Sequence, residues 1–299
     1  MAQERLTKCP LCKSGLFLNH SEIKDYSISR ETFFLCQCTT CKLIFTNPRP
    51  NVEEIGQYYD SEDYISHKDK SRNLVQIIYK LVRKVTIRKK TQWLKKHVPL
   101  QGRLLDIGCG TGYFLKEAKN KGWKVTGIEP NDTARKLSKQ KGLKVFRALE
   151  KIEEGEKFDA ITLFHVIEHV HEIRKTAKKL NNILNKDGRI FMAVPNHQSY
   201  DAKYYGKFWA AWDVPRHLYH FDQESMNQMA EQYGWETEKV IPMKFDSYYV
   251  SILSEKYKDP HNSGIRSFLK GLRIGYQSNH YAKNNSQNYS SLLFVLKKK

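Results

Sequence analysis

A glycine-rich turn constrains this chain more than any other feature of its sequence. Residues 104–112 read Leu-Leu-Asp-Ile-Gly-Cys-Gly-Thr-Gly, an apolar run that passes into glycines at alternate positions. Such a run, followed by helical periodicity, predicts a buried strand, a tight loop and a helix. Glycines let a ligand approach the loop backbone closely, and the N-terminus of the next helix favours electron-rich groups. The sequence therefore predicts a ligand-binding turn at the end of a β-strand.

The chain around this turn alternates between short β-branched segments and helical segments. Strands are predicted at 103–107, 124–129, 143–146, 158–164, 189–194, 236–241 and 291–296, and helices at 112–121, 132–140, 173–184 and 223–233. Another helix is predicted from Ser71 to Val98, where apolar residues recur every three or four positions. Strands and helices that alternate at these lengths predict an α/β fold, a parallel sheet with helices on both faces.

The residue types in and around the turn favour one kind of ligand. A dinucleotide-binding turn has the spacing G-x-G-x-x-G, whereas Gly112 comes one residue earlier than that pattern requires. Asp106 ends the strand, and its carboxylate would repel a pyrophosphate but suits a cationic ligand without phosphate. S-adenosylmethionine, which carries an ammonium and a sulfonium, is such a ligand. Glu129 ends the second strand, where a carboxylate can accept both ribose hydroxyls.

Together these residues resemble the class I S-adenosylmethionine-dependent methyltransferases, over roughly residues 103–241. The resemblance rests on the acid and glycines of the turn, on Glu129, and on the run Phe-His-Val-Ile-Glu-His-Val at 164–170. It implies a Rossmann-like sheet and methyl transfer, with the turn holding the methionine end of the cofactor and Glu129 the ribose. The cofactor-binding residues that it implies are Asp106, Gly108, Cys109, Gly110, Gly112, Glu129, Pro130, Leu149 and His165.

Five of the six cysteines lie within the first 41 residues, which is atypical of a disulfide framework. Cys9, Cys12, Cys38 and Cys41 form the pattern C-x2-C-x25-C-x2-C, a spacing that two zinc knuckles use to close one tetrahedral site. Cys36 is left over. A site with four thiolates has no open coordination position, so the zinc is predicted to be structural. A redox-active Cys-x-x-Cys pair is the alternative.

The segment after the cysteines extends the resemblance to about residues 9–257. Its F-x-N-P-x-P pattern at 45–50, with Tyr58, Tyr59 and Tyr64, resembles a bacterial group that methylates small molecules, including sugar C-methyltransferases and quinone-type O-methyltransferases. The predicted organisation is a zinc-ribbon-like module at 1–50, a linker with a basic helix at 51–98, and a methyltransferase domain at 99–299. Within that domain, 196–221 is predicted to be a substrate cap and 246–288 a polar, partly helical insertion.

A methyltransferase must align the nucleophile with the methyl group, exclude water and, for some acceptors, remove a proton. Histidine can take that proton near neutral pH. The candidates are His165, Glu168 and His169 after the fourth strand, and His217 and His220 in the cap. His217 is predicted to be the base because sugar C-methyltransferases carry a Glu-His pair in a similar H-x-x-x-F pattern, although Arg216 replaces the acid here. Helix capping by Glu168 and His169, and a structural role for His220, are the alternatives.

The chain has a net charge of +19, most of which lies in two stretches, 68–97 and 256–299. Basic clusters bind phosphates, so methylation of ribosomal or transfer RNA is the second hypothesis, after a small-molecule acceptor. A solvated helix face is the commoner explanation of interleaved lysines. A non-catalytic zinc-ribbon protein is disfavoured by the intact turn. Because no apolar run approaches about 20 residues and the N-terminus lacks a hydrophobic signal core, we expect a cytoplasmic protein without membrane insertion.

Overall fold

The computed structural model of the chain describes residues 3–59, 74–98, 100–260, 264–285 and 287–299, with side chains from residue 83 onward in the first helix. Tyr64, the predicted helix start at Ser71 and the basic residues 68–72 lie outside the described residues. The strands are β1 (Gln3–Glu4), β2 (Phe17–Lys24), β3 (Thr32–Cys38), β4 (Ile44–Thr46), β5 (Arg49–Pro50), β6 (Arg103–Ile107), β7 (Lys124–Ile128), β8 (Val145–Phe146), β9 (Phe158–Phe164), β10 (Leu184–Pro195), β11 (Tyr219–His220), β12 (Trp235–Pro242) and β13 (Ser291–Lys298). The α-helices are α1 (Leu74–His97), α2 (Tyr113–Asn120), α3 (Asp132–Gln140), α4 (Ile173–Ile183), α5 (Tyr200–Tyr205), α6 (Gln223–Gln232), α7 (Asp246–Lys258) and α8 (Ile265–Asn284).

The central sheet has seven strands in the order β12-β13-β10-β9-β6-β7-β8. The five strands from β10 to β8 are parallel to one another, as the sequence predicts. The sequence predicted a parallel sheet, and β13 departs from this prediction because it runs antiparallel to both β10 and β12. The reason is that β12 ends at the carboxyl edge and the chain forms α7 and α8 before β13. The last strand therefore enters from the carboxyl edge.

Helices cover both faces of this sheet, as predicted. Successive side chains of a strand point to opposite faces. In β6, Leu104 packs with Leu94 of α1 and Leu115 of α2, whereas Leu105 packs with residues of α4 and α6. These leucines have no exposed surface, and burying each such side chain contributes roughly 1.5–3 kcal/mol. The core thus holds the carboxyl ends of β6, β7 and β9 in fixed positions.

The predicted N-terminal module and the predicted cap share one antiparallel sheet, in the order β11-β4-β3-β2. Its cap strand β11 pairs with β4, with Tyr219 opposite Phe45. Arg216 of the cap is almost completely buried, and its guanidinium donates to Asp25 of the module at 3.0 Å and to Asp213 at 2.7 Å. The module therefore holds the cap over the carboxyl edge of the central sheet.

The predicted insertion at 246–288 forms a hairpin of two helices, α7 and α8. Glycines allow the two helices to pack very closely, because a Cβ at Gly271 would lie 2.6 Å from the Cα of Ile252, and one at Gly275 would lie 2.8 Å from the Cα of Tyr248. The hairpin also packs against the cap, where Oγ of Ser254 accepts a hydrogen bond from the backbone N–H of Ala210 at 2.9 Å. Among the described helices, none is long and apolar enough to cross a membrane.

Candidate functional site

The glycine turn follows β6 and adopts a backbone conformation that L side chains rarely take. Gly108, Gly110 and Gly112 have φ values of 69°, 54° and 80°. A Cβ at Gly108 would lie 2.5 Å from Cγ2 of Val166, and one at Gly112 would lie 2.6 Å from Cδ1 of Leu143. At Gly110, by contrast, a Cβ would meet no atom within 4 Å. The turn therefore packs tightly at both ends and leaves its middle glycine open to a ligand.

Asp106 lies under this turn at the end of β6, with only 4% of its surface exposed. Its Oδ1 accepts a hydrogen bond from the hydroxyl of Thr162 at 2.6 Å. Burial raises the pKa of Asp106 to about 7, while the Thr162 hydrogen bond and the charge of Lys90 oppose that rise. A cationic ligand stabilises the ionised form of a carboxyl group with this pKa. Ionisation of Asp106 and binding of a cation therefore favour each other.

Glu129 follows β7 and faces the glycine turn. Its Oε2 accepts from the backbone N–H of Gly110 at 2.7 Å, and its Oε1 accepts from that of Asn131 at 2.9 Å. Burial raises the pKa of Glu129, although these two backbone hydrogen bonds oppose it. Each oxygen keeps a second lone pair, so the carboxylate can also accept hydrogen bonds from the hydroxyl groups of a ligand bound at the turn.

The other residues predicted to bind the cofactor differ in their placement. The side chain of Cys109 is buried beneath the turn, where a Cβ at Gly127 would lie 2.7 Å from its Sγ, so only its backbone faces the ligand side. Pro130 is exposed beside Glu129. Leu149 is half-buried in the short helical turn that follows β8. These positions border the turn on the side of β7 and β8.

Lys90 is a site residue that sequence reasoning missed. Helix α1 carries its Nζ to 3.7 Å from the ring centroid of Phe164, at the end of β9. Burial lowers the pKa of Lys90, while the charges of Asp106 and Asp246 raise it. The sequence identified a basic helix but contained no signal that one of its lysines turns inward.

His165 comes directly after β9 and has a φ of 57°, an uncommon value for a residue other than glycine. Its Nε2 lies 3.0 Å from Oδ2 of Asp246, and its Nδ1 lies 3.4 Å from Oε1 of Glu168. Burial alone would lower the pKa of His165, but the two carboxylates outweigh it and raise that pKa to about 10. His165 is therefore a cation near neutral pH. Asp246, which begins α7, was not among the predicted residues.

Glu168, His169 and His217, here named the Glu-His-His cluster, meet where the cap covers the end of β9. One ligand atom from each lies within 4.8 Å of the others. Glu168 has no exposed surface, and within the described part of the chain neither of its carboxylate oxygens has a hydrogen-bond partner. Burial would raise the pKa of Glu168, but His165, His169 and His217 outweigh it and lower that pKa. The structure thus brings together three side chains that the sequence singled out separately.

The two imidazoles of this cluster are held by the backbone. Nδ1 of His169 lies 2.9 Å from the carbonyl oxygen of Arg216, and Nδ1 of His217 lies 2.9 Å from that of Ala211. Their ring centroids are 4.6 Å apart in an edge-to-face arrangement. Burial and the nearby His217 lower the pKa of His169 to about 4. His220 lies apart from the cluster, with Nε2 3.4 Å from the hydroxyl oxygen of Thr46.

The four cysteines of the two Cys-x-x-Cys pairs, here named the cysteine cluster, also come together. The sulfur atoms of Cys9 and Cys41 are 3.5 Å apart, as are those of Cys12 and Cys38. A regular tetrahedron with zinc–sulfur bonds of about 2.3 Å has sulfur atoms about 3.8 Å apart, so the arrangement fits that ion. Cys36 lies outside the cluster, with its Sγ 3.9 Å from Oδ1 of Asn19.

The two knuckles have the same backbone geometry. Lys13 and Lys42, each directly after the second cysteine of a pair, have φ values of 66° and 61°. Their N–H groups donate to the carbonyl oxygens of Cys9 and Cys38 at 3.0 and 3.1 Å. The adjacent Cys9 thiol, together with burial, raises the pKa of Cys41. Neighbouring thiolates repel one another, and a bound cation would stabilise them in this cluster.

Comparisons with known proteins agree with this geometry. A family model described as "Methyltransferase domain" matches residues 77–240, more than half of the chain. The ubiquinone biosynthesis O-methyltransferase of Actinobacillus pleuropneumoniae serotype 7 (strain AP76) is 28% identical over 171 residues, which are 52% of this chain and 72% of that protein.

Two solved structures have the same fold. Magnesium protoporphyrin IX methyltransferase from Synechocystis PCC 6803, with bound SAH, has a TM-score of 0.54 at 14% identity and covers 83% of this chain and 100% of its own. Geranyl diphosphate C-methyltransferase from Streptomyces coelicolor A3(2) has a TM-score of 0.52 at 11% identity and covers 80% and 88%. At these identities the likeness concerns the fold alone.

Proposed function

This chain belongs to the S-adenosylmethionine-dependent methyltransferase family, and from that premise we propose that its acceptor is a small molecule, a biosynthetic intermediate such as a sugar or a quinone. The observation that carries this proposal is the enclosure of the Glu-His-His cluster by the cap. Glu168 is fully buried, and His217 is 8% exposed. A small acceptor can occupy such an enclosed place, whereas an RNA helix cannot enter it. The ubiquinone enzyme named above gives independent support for this class of acceptor.

In this proposal the cofactor lies across the glycine turn. The ionised Asp106 attracts the ammonium group of its methionine end, and Glu129 accepts its ribose hydroxyls. Gly110 leaves room for the cofactor to contact the backbone, since a side chain there would project into open space. Cys109 and Pro130 contribute backbone or ring surface beside the turn, and Leu149 contributes apolar surface near the adenine. When bound, the cofactor supplies the methyl group as a sulfonium-activated electrophile.

The acceptor's proton is the second part of the proposal. His165 is a cation near neutral pH because its pKa is raised to about 10, so we assign it to stabilise negative charge on the acceptor rather than to act as the base. Nδ1 of His217 lies 2.9 Å from the carbonyl oxygen of Ala211, so Nε2 is the nitrogen that can accept a proton. The carboxylate of Glu168 then stabilises the resulting imidazolium.

The cysteine cluster, we propose, binds a structural zinc ion. Four thiol groups at these distances fit the ion. Gln232 of α6 donates its amide to the carbonyl oxygen of Leu11, inside the first knuckle, at 3.0 Å. Zinc there would hold the N-terminal sheet, and through β4 and β11 the cap.

Methyl transfer to a panel of small acceptors tests the proposal. Purified protein is incubated with methyl-labelled S-adenosylmethionine and with catechols, quinols or nucleotide sugars, and label in the product is followed by mass spectrometry. We expect product with at least one class, and none with Asp106→Ala. His217→Asn should lower kcat while leaving the affinity for S-adenosylhomocysteine unchanged. Methylation of bulk RNA, accompanied by steeply salt-dependent RNA binding, with no small-molecule product would contradict the proposal.

A further inference from the structure

The Glu-His-His cluster brings one carboxylate oxygen of Glu168 and one ring nitrogen from each of His169 and His217 within 4.8 Å of one another. Glu168 has no exposed surface, and among the described residues neither of its carboxylate oxygens has a hydrogen-bond partner. Nδ1 of His165 lies 3.4 Å from Oε1, outside hydrogen-bond geometry. A buried carboxylate whose oxygens lack hydrogen bonds is costly, so this arrangement points to a ligand.

The hydrogen bonds of the two imidazoles determine which of their nitrogens carry a lone pair. A backbone carbonyl can only accept a hydrogen bond. Because Nδ1 of His169 and Nδ1 of His217 each lie 2.9 Å from such an oxygen, we assign a proton to both Nδ1 atoms. The hydroxyl oxygen of Tyr59, 3.1 Å from Nδ1 of His169, is then a second acceptor. In the neutral rings, each Nε2 then holds a lone pair. An imidazole oriented in this way by a backbone carbonyl is typical of histidines that bind metal ions.

We propose that Glu168, His169 and His217 bind one divalent transition-metal ion, at a site separate from the cysteine cluster. Two imidazoles and one carboxylate are the donor set that suits Fe²⁺ and also Zn²⁺ or Mn²⁺. Metal–ligand bonds of about 2.0–2.2 Å bring such donors to within roughly 3–4 Å of one another. The donors here already lie within 4.8 Å, so rotations of side chains alone can complete the site.

This inference concerns the site of the proposed function and deepens it. Three protein ligands leave coordination positions open, as is typical of catalytic rather than structural metal sites. When bound, such an ion would occupy the lone pair of His217 Nε2 and would lower the pKa of an acceptor hydroxyl that coordinates it, and the proton of that hydroxyl would then pass to water. His217 would serve as the base only in the metal-free protein. His165 lies beside the site and remains paired with Asp246 at 3.0 Å.

Cobalt binding tests the inference, because its spectrum separates the two sites. Thiolate ligands give intense near-ultraviolet charge-transfer bands with Co²⁺, which imidazole and carboxylate ligands lack. The full-length protein is dialysed against Co²⁺, and bound cobalt is measured by mass spectrometry. We expect two ions per wild-type chain. Glu168→Gln and His169→Gln should each lose one ion and keep the charge-transfer bands unchanged. His220→Gln, a buried histidine of the cap outside the cluster, should keep both ions.

S-adenosylhomocysteine binding by calorimetry serves to show that each variant is folded, and the two cluster variants provide independent tests. The inference is overturned when a folded variant binds as much cobalt as the wild type, or when the ion that it loses is the one with thiolate bands. Neither readout requires an acceptor. A protein that holds both ions but methylates no small acceptor therefore contradicts the proposed function and not the metal site, and the reverse result contradicts only the metal site.

Discussion

The affinity for the cofactor should depend on pH through Asp106, and the structure determines the size of this effect. Its pKa is about 7, so the carboxyl group is about half ionised at pH 7 and almost wholly protonated at pH 5. The cationic methionine end binds the ionised form. Each pH unit below the pKa should therefore weaken binding about tenfold, or about 1.4 kcal/mol. Between pH 7 and pH 5 we expect a loss of about 50-fold.

Isothermal calorimetry with S-adenosylhomocysteine, which carries the same ammonium group, measures this dependence. Asp106→Asn should bind weakly and without the acid-side loss, because it has no carboxyl group to protonate. Thr162→Val removes the hydrogen bond that favours the ionised carboxylate, so the acid-side loss should begin at a higher pH. As a ligand control, 5′-methylthioadenosine lacks the amino-acid end and should show little pH dependence. An S-adenosylhomocysteine affinity that is constant from pH 5 to pH 7 in the wild type would refute the reasoning.

Three further predictions concern the turn, the cysteine cluster and the buried ion pair. Gly108→Ala should weaken cofactor binding and lower the free energy of unfolding by about 1–3 kcal/mol, because Gly108 has a positive φ and a Cβ there would contact Val166. Calorimetry measures the binding and thermal unfolding measures the stability. An unchanged Tm would contradict the prediction. Cys38→Ser should lose the zinc measured by mass spectrometry and lower the Tm, whereas Cys36→Ser should keep the metal. Arg216→Met should destabilise the protein by about 3–5 kcal/mol, because it leaves the buried carboxylate of Asp25 without its ion-pair partner. Denaturant unfolding measures this loss of stability. A double variant that also carries Asp25→Asn should recover part of the loss.

Local patterns predicted the elements of the central sheet. The apolar and helical periods located every strand of that sheet and the helices between them, with differences of a few residues at their ends. The direction of β13 could not be read in this way. A strand's direction depends on where the preceding segment packs, and α7 and α8 pack at the carboxyl edge instead of crossing the sheet.

The candidate site was predictable to different extents. The glycines and Asp106 of the turn, and the four cysteines, are consecutive or regularly spaced, so their chemistry was visible as a pattern. Lys90 and Asp246 were not identified, because each is one charged residue among many on an amphipathic or polar helix. Their inward positions depend on how α1 and α7 dock.

The sequence by itself determined the family, the class of cofactor and the conformation of the turn, because these depend on residues within a few positions of one another. Only the tertiary structure decided that Glu168 and His169 meet His217, about fifty residues further along the chain. It also decided that β11 of the cap completes the N-terminal sheet. These contacts join distant segments of the chain. Which distant side chains face each other depends on how the sheet and the cap pack, and that packing is driven by the burial of apolar surface.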